Sequence, residues 1–276
     1  MFIRQTVKIL LVVFLLAALT VVTQIGGIVL LCTIGIIFFL RKRLSSRWKV
    51  YLSGSVVFLL LYTISSFAIV PLVAKYFGRV PLPLRGGVKP LNIGTCILNR
   101  HYVRLALRDV IMKSYQTLET EYPGCTMNYL DAGFPFYDGF PLLPHLSHND
   151  GRKLDLAFFY KDKNGKQLDD APSAIGYGVY ESPWASEENY AERCASKGYW
   201  QYGVMERIVS QSKKSDYIFD AKRTSELVNI LSRNKAVEKI FIEPHLRKRL
   251  GLSSPKIRFH GCQAVRHDDH IHVQIY

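Results

Sequence analysis

The last seventeen residues carry the densest set of chemically reactive side chains in the sequence. They span 260–276 and hold four of the chain's eight histidines. The end of this stretch predicts a short strand, so His270 and His272, two positions apart, project from the same face. Two imidazoles on one strand face can share one metal ion. His267 and the pair Asp268–Asp269 lie directly upstream, where they could orient the ligands or transfer protons.

A second polar cluster occupies residues 144–159, where a turn rich in Asn, Asp and Gly leads into an apolar strand. Three residues of this strand share the face opposite to Asp155: Leu154, Leu156 and Phe158. A lone carboxylate in such a strand requires a charged partner. His148 lies seven residues earlier across the glycine turn, so it can converge on the same point as Asp155.

The two clusters together carry a family resemblance. They read His-x-Ser-His-x-x-Gly-x-x-x-Asp and, far downstream, His-Asp-Asp-His-x-His. This pair of motifs resembles the penicillin-insensitive murein endopeptidases. Those enzymes belong to a wider zinc peptidase group with lysostaphin, the D-alanyl-D-alanine metallopeptidases and sonic hedgehog. Residues 237–250 resemble the strand and helix before the final motif in that family. The likeness covers 142–276, except that the middle, 160–222, has no match.

The resemblance implies one zinc ion per chain, with a water in the fourth position and three protein ligands: His148, Asp155 and His272. It also implies that His270 is the catalytic base, and that His145 and His267 are additional active-site histidines. The implied reaction is hydrolysis of amide bonds in peptidoglycan peptides. The residue types agree with this, because two imidazoles and one carboxylate form an open, catalytic type of zinc site, whereas structural sites usually have four ligands.

Several alternatives to this interpretation stay open. In the D-alanyl-D-alanine branch, a Glu three residues before the last histidine ligand is the base, and Asp269 holds that position here. One branch of the group uses the zinc fold for recognition, so the domain could be a non-catalytic cell-wall binding module. A peptidase acting on D-Ala dipeptides or proteins is a further alternative. A catalytic pair with Cys262 as nucleophile and His267 as its base is also formally possible.

The N-terminal region predicts membrane-spanning helices. Ile9–Leu40 and Val50–Val73 are almost uninterrupted apolar runs, each longer than the ~18 residues typical of a membrane span. The loop between them, 41–49, carries five positive charges. The positive-inside rule places this loop in the cytoplasm, and we interpret it as a topology signal rather than a nucleic-acid site.

The topology of the first run has two solutions. Thirty-two residues of helix would span about 48 Å, against a core of ~30 Å. Thr23–Gly27 interrupts the run, which favours a tight hairpin over one long tilted helix. Either solution leads the chain out of the cytoplasm after about residue 76. We therefore expect a cytoplasmic (inner) membrane protein whose catalytic domain is periplasmic or extracytoplasmic, with the bilayer and peptidoglycan as partners.

These patterns define a domain plan. It has an anchor of two or three transmembrane helices (1–76), a Pro- and Gly-rich linker (77–90) and an exported zinc peptidase domain (91–276). The fold class predicted for the domain is α+β, with a small antiparallel sheet and flanking helices. Predicted elements of the domain are a helix over 100–121, a helix over 224–234, a strand over 238–242 and a helix over 244–250.

Three features of the exported domain are left undecided by the sequence. The aromatic stretch 129–144 could wall a cleft or cover a core. The unmatched middle, 160–222, is rich in Tyr and Trp and could shape the groove, touch the membrane or pack as core. Four cysteines are expected outside the cytoplasm, Cys96, Cys125, Cys194 and Cys262. They allow up to two disulfides, and their pairing cannot be ranked.

Overall fold

The computed structural model describes residues 2–276, with side chains from Gln5 onward. Its α-helices are α1 (Phe2–Thr23), α2 (Gly26–Leu40), α3 (Arg47–Ile64), α4 (Val70–Ala74), α5 (Ile93–Ile97), α6 (Leu105–Glu121), α7 (Tyr190–Ser196), α8 (Val204–Ile208), α9 (Ala221–Arg233) and α10 (Pro244–Arg249). A π-helical turn, Ser65–Ile69, joins α3 to α4, so these elements form one continuous rod.

The strands fall into three sheets. They are β1 (Val80–Pro81), β2 (Val88–Pro90), β3 (Tyr102–Val103), β4 (Met127–Tyr129), β5 (Lys153–Ala157), β6 (Tyr160–Lys161), β7 (Gln167–Leu168), β8 (Ile218–Phe219), β9 (Val237–Phe241), β10 (Ile257–Arg258) and β11 (His270–Ile275). The main sheet has the order β10-β9-β11-β5-β4-β2, and the others are β1-β3 and β7-β6-β8. The α+β class predicted from the sequence is therefore confirmed.

The main sheet differs from the antiparallel sheet that was predicted. Its centre, β9-β11-β5-β4, is antiparallel, but the edge strands β10 and β2 pair in parallel with their neighbours. The sheet is therefore mixed. These edge strands have two and three residues, too few to show a hydrophobic alternation in the sequence.

The two faces of the main sheet have different roles. Alternate residues of β5 and β11 join the hydrophobic core: Leu154, Leu156, Ile271, Val273 and Ile275. Helices α6 and α9 contribute Leu107, Ile111, Leu227 and Leu231 to the same core. Because side chains alternate along a strand, the residues between these positions face the opposite side, which the helices leave open.

Most predicted elements of the domain are confirmed, with shifted ends. The helix predicted over 100–121 is α6, and it begins at Leu105 because Tyr102–Val103 pairs with β1 instead. The buried residues of α6 are Leu107, Val110, Ile111, Ser114 and Leu118. The later predictions correspond to α9, β9 and α10. Asp220 caps α9 by accepting from the Arg223 amide, which explains its early start.

The first apolar run folds as a hairpin. It breaks at Gln24, whose φ of 66° lies in the left-handed region. A Cβ on Gly27 would lie 2.9 Å from the Leu16 carbonyl oxygen, whereas eleven residues of straight helix span about 16 Å. The chain therefore turns back here, and glycine permits the close approach of α1 and α2. Among the described residues, two helices are long and apolar enough to cross a membrane, Gln5–Thr23 and Arg47–Phe77.

The segment predicted as an irregular linker, 77–90, contains two strands. β1 pairs with β3, and β2 forms one edge of the main sheet. Arg79 between helix and strand is buried and forms an ion pair with Asp138. The tether interpretation is therefore corrected: these residues are part of the folded domain, because their apolar side chains, including Leu82 and Val88, enter its core.

The two ends of the unmatched middle, 160–222, lie next to each other in the fold. β6 lies at its start and β8 lies near its end, and the two strands pair antiparallel. A disulfide between Cys194 and Cys262 ties α7 to the loop before β11. Of the four candidate cysteines, Cys96 and Cys125 are free and buried in the described chain, so one bridge forms rather than two. The formal Cys262–His267 nucleophile is excluded, since the Cys262 sulfur is in the disulfide.

Candidate metal centre

The open face of the main sheet brings the two sequence clusters together. His272 on β11 and Asp155 on β5 are direct cross-strand partners. Both are buried, and the His272 Nδ1 atom lies 2.8 Å from the Asp155 Oδ1 atom. The alternation that sends Leu154 and Val273 into the core therefore points the two predicted ligands at each other on the opposite side.

His148 completes a triangle with these two residues. Its Nε2 atom lies 3.2 Å from His272 Nδ1 and 3.3 Å from Asp155 Oδ1. The other ring nitrogen, Nδ1, lies 2.8 Å from the Ala132 carbonyl oxygen. Donation from Nδ1 to that carbonyl leaves Nε2 free to accept or to bind an ion, the usual arrangement of a metal-binding histidine.

His145 approaches the same carboxylate from the other side. Its Nδ1 atom lies 3.3 Å from Asp155 Oδ2 and 3.4 Å from Asp131 Oδ2. His145, His148 and Asp155 offer ligand atoms that all lie within 4.8 Å of one another, so this group could hold a metal ion. His148 and Asp155 thus belong both to this group and to the predicted set, which has His272 in place of His145.

Tyr177 is a partner of Asp155 that the sequence did not reveal. Its hydroxyl donates to Asp155 Oδ2 at 2.8 Å and accepts from the Asp131 amide at 3.2 Å. Tyr177 comes from the unmatched middle, 22 residues beyond Asp155, and no local pattern marks it. Its ring also packs edge-on against His145 and His270, with centroids 4.7 and 5.0 Å apart.

His270, the predicted base, is buried beside the ligand set. Its Nε2 atom lies 3.8 Å from Asp155 Oδ1 and has no hydrogen-bond partner among the described residues. Its Nδ1 atom is hydrogen-bonded to the Asp269 carboxylate. Asp269 is itself fixed by the Gly178 amide, which donates to it at 2.6 Å. Asp269 therefore orients the His270 ring, and the free Nε2 atom points into the site.

His267 lies between the site histidines and a buried acidic network. Its ring centroid is 4.9 Å from that of His270 and 5.7 Å from that of His272. Its backbone amide donates to Glu243, which also binds the Tyr202 hydroxyl. A further histidine, His260, stacks on Phe241 and lines the same cleft, although no role was predicted for it.

Burial and charge shift the pKa values of these groups in different directions. Burial raises the pKa of Asp155, but His148 and His270 hold it well below its usual range. Burial lowers the pKa of His270, but the Asp155 and Asp269 carboxylates raise it to about 9. Burial lowers the pKa of His272 to about 4. A cation on Asp155 would neutralise that carboxylate and so weaken its effect on His270.

The site opens into a cleft of about 670 Å³. Its walls include all six predicted site residues: His145, His148, Asp155, His267, His270 and His272. Of the two arginines near the motifs in sequence, Arg266 lines the cleft and is paired with Asp268 at 2.6 Å. Arg152 is exposed and is not part of the wall. The middle segment contributes Tyr177, Tyr180, Gln201, Tyr202, Val204 and Met205.

The residues present fit a divalent transition metal such as zinc. Ligand atoms around a tetrahedral ion with bonds of 2.0–2.1 Å lie about 3.3 Å apart, close to the separations among His148, Asp155 and His272. The donor set of imidazole and carboxylate suits zinc and excludes a thiolate site. Asp155 has only histidines and the Tyr177 hydroxyl around its carboxylate, and a buried carboxylate in such surroundings is stabilised by a cation.

Comparison with known protein families and with curated proteins found no match for this chain. The likeness to murein endopeptidases therefore rests on the two motifs and on residues 237–250, and the family stays a prediction.

Proposed function

We propose that this protein is a membrane-anchored zinc metallopeptidase that hydrolyses amide bonds in peptidoglycan peptides. The observation that carries the proposal is the convergence of His148, Asp155 and His272 within 3.3 Å of one another at the base of a large cleft. A ligand set confined to a closed pocket would indicate a structural ion; an open cleft gives a substrate access to the site.

Zinc is the proposed ion, one per chain, held by His148, Asp155 and His272. When bound, zinc polarises a carbonyl and makes a neighbouring water acidic. His145 is adjacent to the same carboxylate and is proposed to contact substrate or to assist the ligands. Tyr177 holds the second oxygen of Asp155, so that Oδ1 stays directed at the two imidazoles.

His270 is the proposed general base. Its Nε2 atom has no partner in the described chain and lies next to the ligand atoms, where it can accept the proton of the attacking water and deliver it to the leaving amine. Asp269 holds Nδ1 and fixes the tautomer that this role needs. The alternative base, Asp269, is less suitable because its carboxylate is occupied by His270 and by the Gly178 amide.

The membrane arrangement is part of the proposal. The basic loop 41–49 lies between the α1–α2 hairpin and the long rod formed by α3, the π turn and α4. With this loop in the cytoplasm, the rod carries the domain to the opposite side of an inner membrane. An export-dependent reporter enzyme fused after Tyr276 should be active, and activity restricted to a cytoplasmic reporter would contradict this topology.

The decisive experiment combines metal analysis with substrate digestion. Detergent-purified full-length protein is loaded with zinc, dialysed and analysed for metal, then incubated with purified murein sacculi, and the released fragments are identified by mass spectrometry. We expect about one zinc per chain and fragments cut at peptide amide bonds. Zinc binding without cleavage would favour the non-catalytic binding module, and cleavage of only D-Ala dipeptides or proteins would change the substrate.

A further inference from the structure

One rim of the cleft is built on the membrane-spanning rod. Helix α5 lines the cleft through Gly94 and Thr95 and through its cap residues Asn92 and Leu98. The same helix touches α3, because the Tyr62 hydroxyl donates to the Ile97 carbonyl at 2.6 Å. The next residue but one, Asn99, donates to Ser66 Oγ at 3.2 Å. The wall of the cleft is thus in direct contact with the rod.

A second segment of the rim, the loop that contains Phe136, also contacts the membrane helices. The Phe136 amide donates to Gln24 Oε1 at 3.0 Å, at the tip of the α1–α2 hairpin. The Phe136 ring packs on Phe77 with centroids 5.0 Å apart. This loop continues to His145 and His148, and Arg100 at the end of α5 donates to the Leu143 carbonyl. One segment of the rim therefore contacts the middle of the rod, and the other contacts the tip of the hairpin and the end of the rod.

The length of the rod sets the depth of these contacts. Its 31 residues, Arg47–Phe77, span about 46 Å as helix, against a hydrocarbon core of ~30 Å. With Arg47 and Lys49 at the cytoplasmic surface, about 20 residues cross the core, ending near Ile69. Tyr62 and Ser66 lie seven and three residues before that end, about 10 and 5 Å below the outer boundary, so their contacts with residues 97 and 99 place the rim at the level of the outer leaflet.

The side chains that the rim exposes suit such a position. Ile93 and Ile97, one turn apart on α5, are 53% and 43% exposed, and Leu143 and Leu146 are each 56% exposed. These four residues form the apolar rim. Exposed apolar groups that cluster beside a cleft mark a contact with another apolar phase. Their continuity with the spanning helices identifies that phase as the outer surface of the bilayer.

We infer that the cleft opens at the membrane surface, with the apolar rim in contact with lipid, and that the metal centre acts on a peptide carried by a lipid-anchored molecule. The substrate part of this inference rests on the proposed peptidase activity. The orientation part does not, since it follows from α5, the rod and the exposed residues. A peptide held at the surface would enter the cleft without leaving the lipid interface.

The orientation is tested by lipid quenching. A cysteine replaces Ile97, Leu146 or Arg258 in full-length protein whose exposed free cysteine, Cys32, is changed to Ser, and each variant is labelled with a fluorophore; the remaining free cysteines, Cys96 and Cys125, are buried. The protein is placed in phosphatidylethanolamine–phosphatidylglycerol nanodiscs with or without lipids bearing a shallow nitroxide. Arg258 is the matched control, because it is exposed on β10, five strand spacings (about 24 Å) across the sheet from β2. We expect at least about twofold stronger quenching at 97 and 146 than at 258; equal quenching would overturn the orientation.

The substrate class is tested with one peptide in two forms. A murein stem peptide is supplied attached to a polyprenyl lipid in the same nanodiscs, or free in solution. We expect wild-type kcat/KM to be at least about tenfold higher for the lipid-attached form. Ile93→Ser/Ile97→Ser should reduce that preference and leave hydrolysis of the free peptide unchanged, whereas Arg258→Ser should change neither.

The outcomes separate the two levels of the inference. Equal kcat/KM for both forms in the wild-type protein overturns the lipid-anchored substrate and leaves the peptidase proposal standing. Hydrolysis of neither form by zinc-loaded wild-type protein overturns the peptidase proposal and the substrate class together. The quenching experiment still decides the orientation in that case, because it measures no activity.

Discussion

Two buried aspartates in this protein have opposite kinds of surroundings. Asp220 is 2% exposed and Asp155 is 1% exposed. Asp220 accepts from Arg223 Nε at 2.7 Å and lies 3.2 Å from Lys161 Nζ. In the described chain, no lysine or arginine lies within ion-pair distance of Asp155, whose neighbours are His145, His148, His270, His272 and the Tyr177 hydroxyl.

The difference separates a structural carboxylate, Asp220, from a candidate metal ligand, Asp155. Asp220 caps α9 and is neutralised by permanent cations, so its charge is compensated by the fold alone. Asp155 has no permanent cation beside it, so its charge is compensated only while a neighbouring imidazole such as His270 is protonated or while a cation is bound, and an uncompensated buried carboxylate costs several kcal/mol. The proposed metal ion would provide that charge, and the open cleft would make the ion accessible to a substrate.

The largest effect, on zinc content and activity, should follow from removing the charge of Asp155, the acid without a permanent cation beside it. Asp155→Asn takes away the anionic ligand between His148 and His272 while preserving the size of the side chain. We expect zinc content to fall from about one to less than about a tenth of an equivalent, and hydrolysis of sacculi to fall with it. Metal analysis after zinc loading measures the first and fragment release the second. Retention of a full equivalent would show that Asp155 is not a ligand.

Replacing Asp220, whose charge is compensated by Arg223 and Lys161, should change the stability of the protein rather than its zinc content. Asp220→Asn leaves the buried Arg223 guanidinium without its counter-charge, so the free energy of unfolding should fall by about 3–5 kcal/mol. Asp216→Asn is the control: this aspartate pairs with Lys163 at the surface, 64% exposed, and should cost less than about 1 kcal/mol. Denaturation followed by circular dichroism measures both, and folded Asp220→Asn protein should bind zinc like the wild type.

The part of the site that could be predicted from sequence is the part carried by local patterns. The alternation of β5 and β11 predicts which face Asp155, His270 and His272 occupy, and the structure confirms that face. The cross-strand pairing of Asp155 with His272 depends on which strands are neighbours. Local alternation does not specify those neighbours, so only the family resemblance linked the two motifs.

The contacts that could not be predicted join residues that are far apart in sequence. Tyr177 and Asp131 reach His145 and Asp155 from a loop and a strand end that show no motif. Short strands such as β2 have too few residues for a pattern, and this is why a linker was predicted there. The pairing of Cys194 with Cys262, 68 residues apart, depends on how the middle segment folds over the cleft.

The next largest effect concerns the base beside Asp155. His270→Ala removes the unpartnered Nε2 atom but none of the three proposed ligands, so zinc should stay bound while turnover falls by roughly 10²-fold or more. Asp269→Asn keeps the hydrogen bond to His270 but removes its charge, and a loss of about tenfold is expected. Steady-state kinetics on metal-loaded variants compare the two. Near wild-type turnover in His270→Ala would show that His270 is not the general base and would assign that role to Asp269 or His267.

The smallest effect concerns the Tyr177 hydroxyl, which binds Asp155 where Asp220 has an arginine. The Tyr177 hydroxyl is its one neutral donor outside the histidines in the described chain, and Tyr177→Phe removes that donor without changing the ring that packs on His145. We expect zinc affinity to fall by about tenfold, since an outer partner orients a ligand carboxylate, and the free energy of unfolding by about 1 kcal/mol. Tyr217→Phe is the matched control, because its hydroxyl donates at 2.9 Å to Asp170 at the surface. Competition with a chelator of known affinity measures the change. If both variants bind zinc like the wild type, Asp155 does not need its tyrosine, and the imidazoles alone hold the carboxylate for the metal.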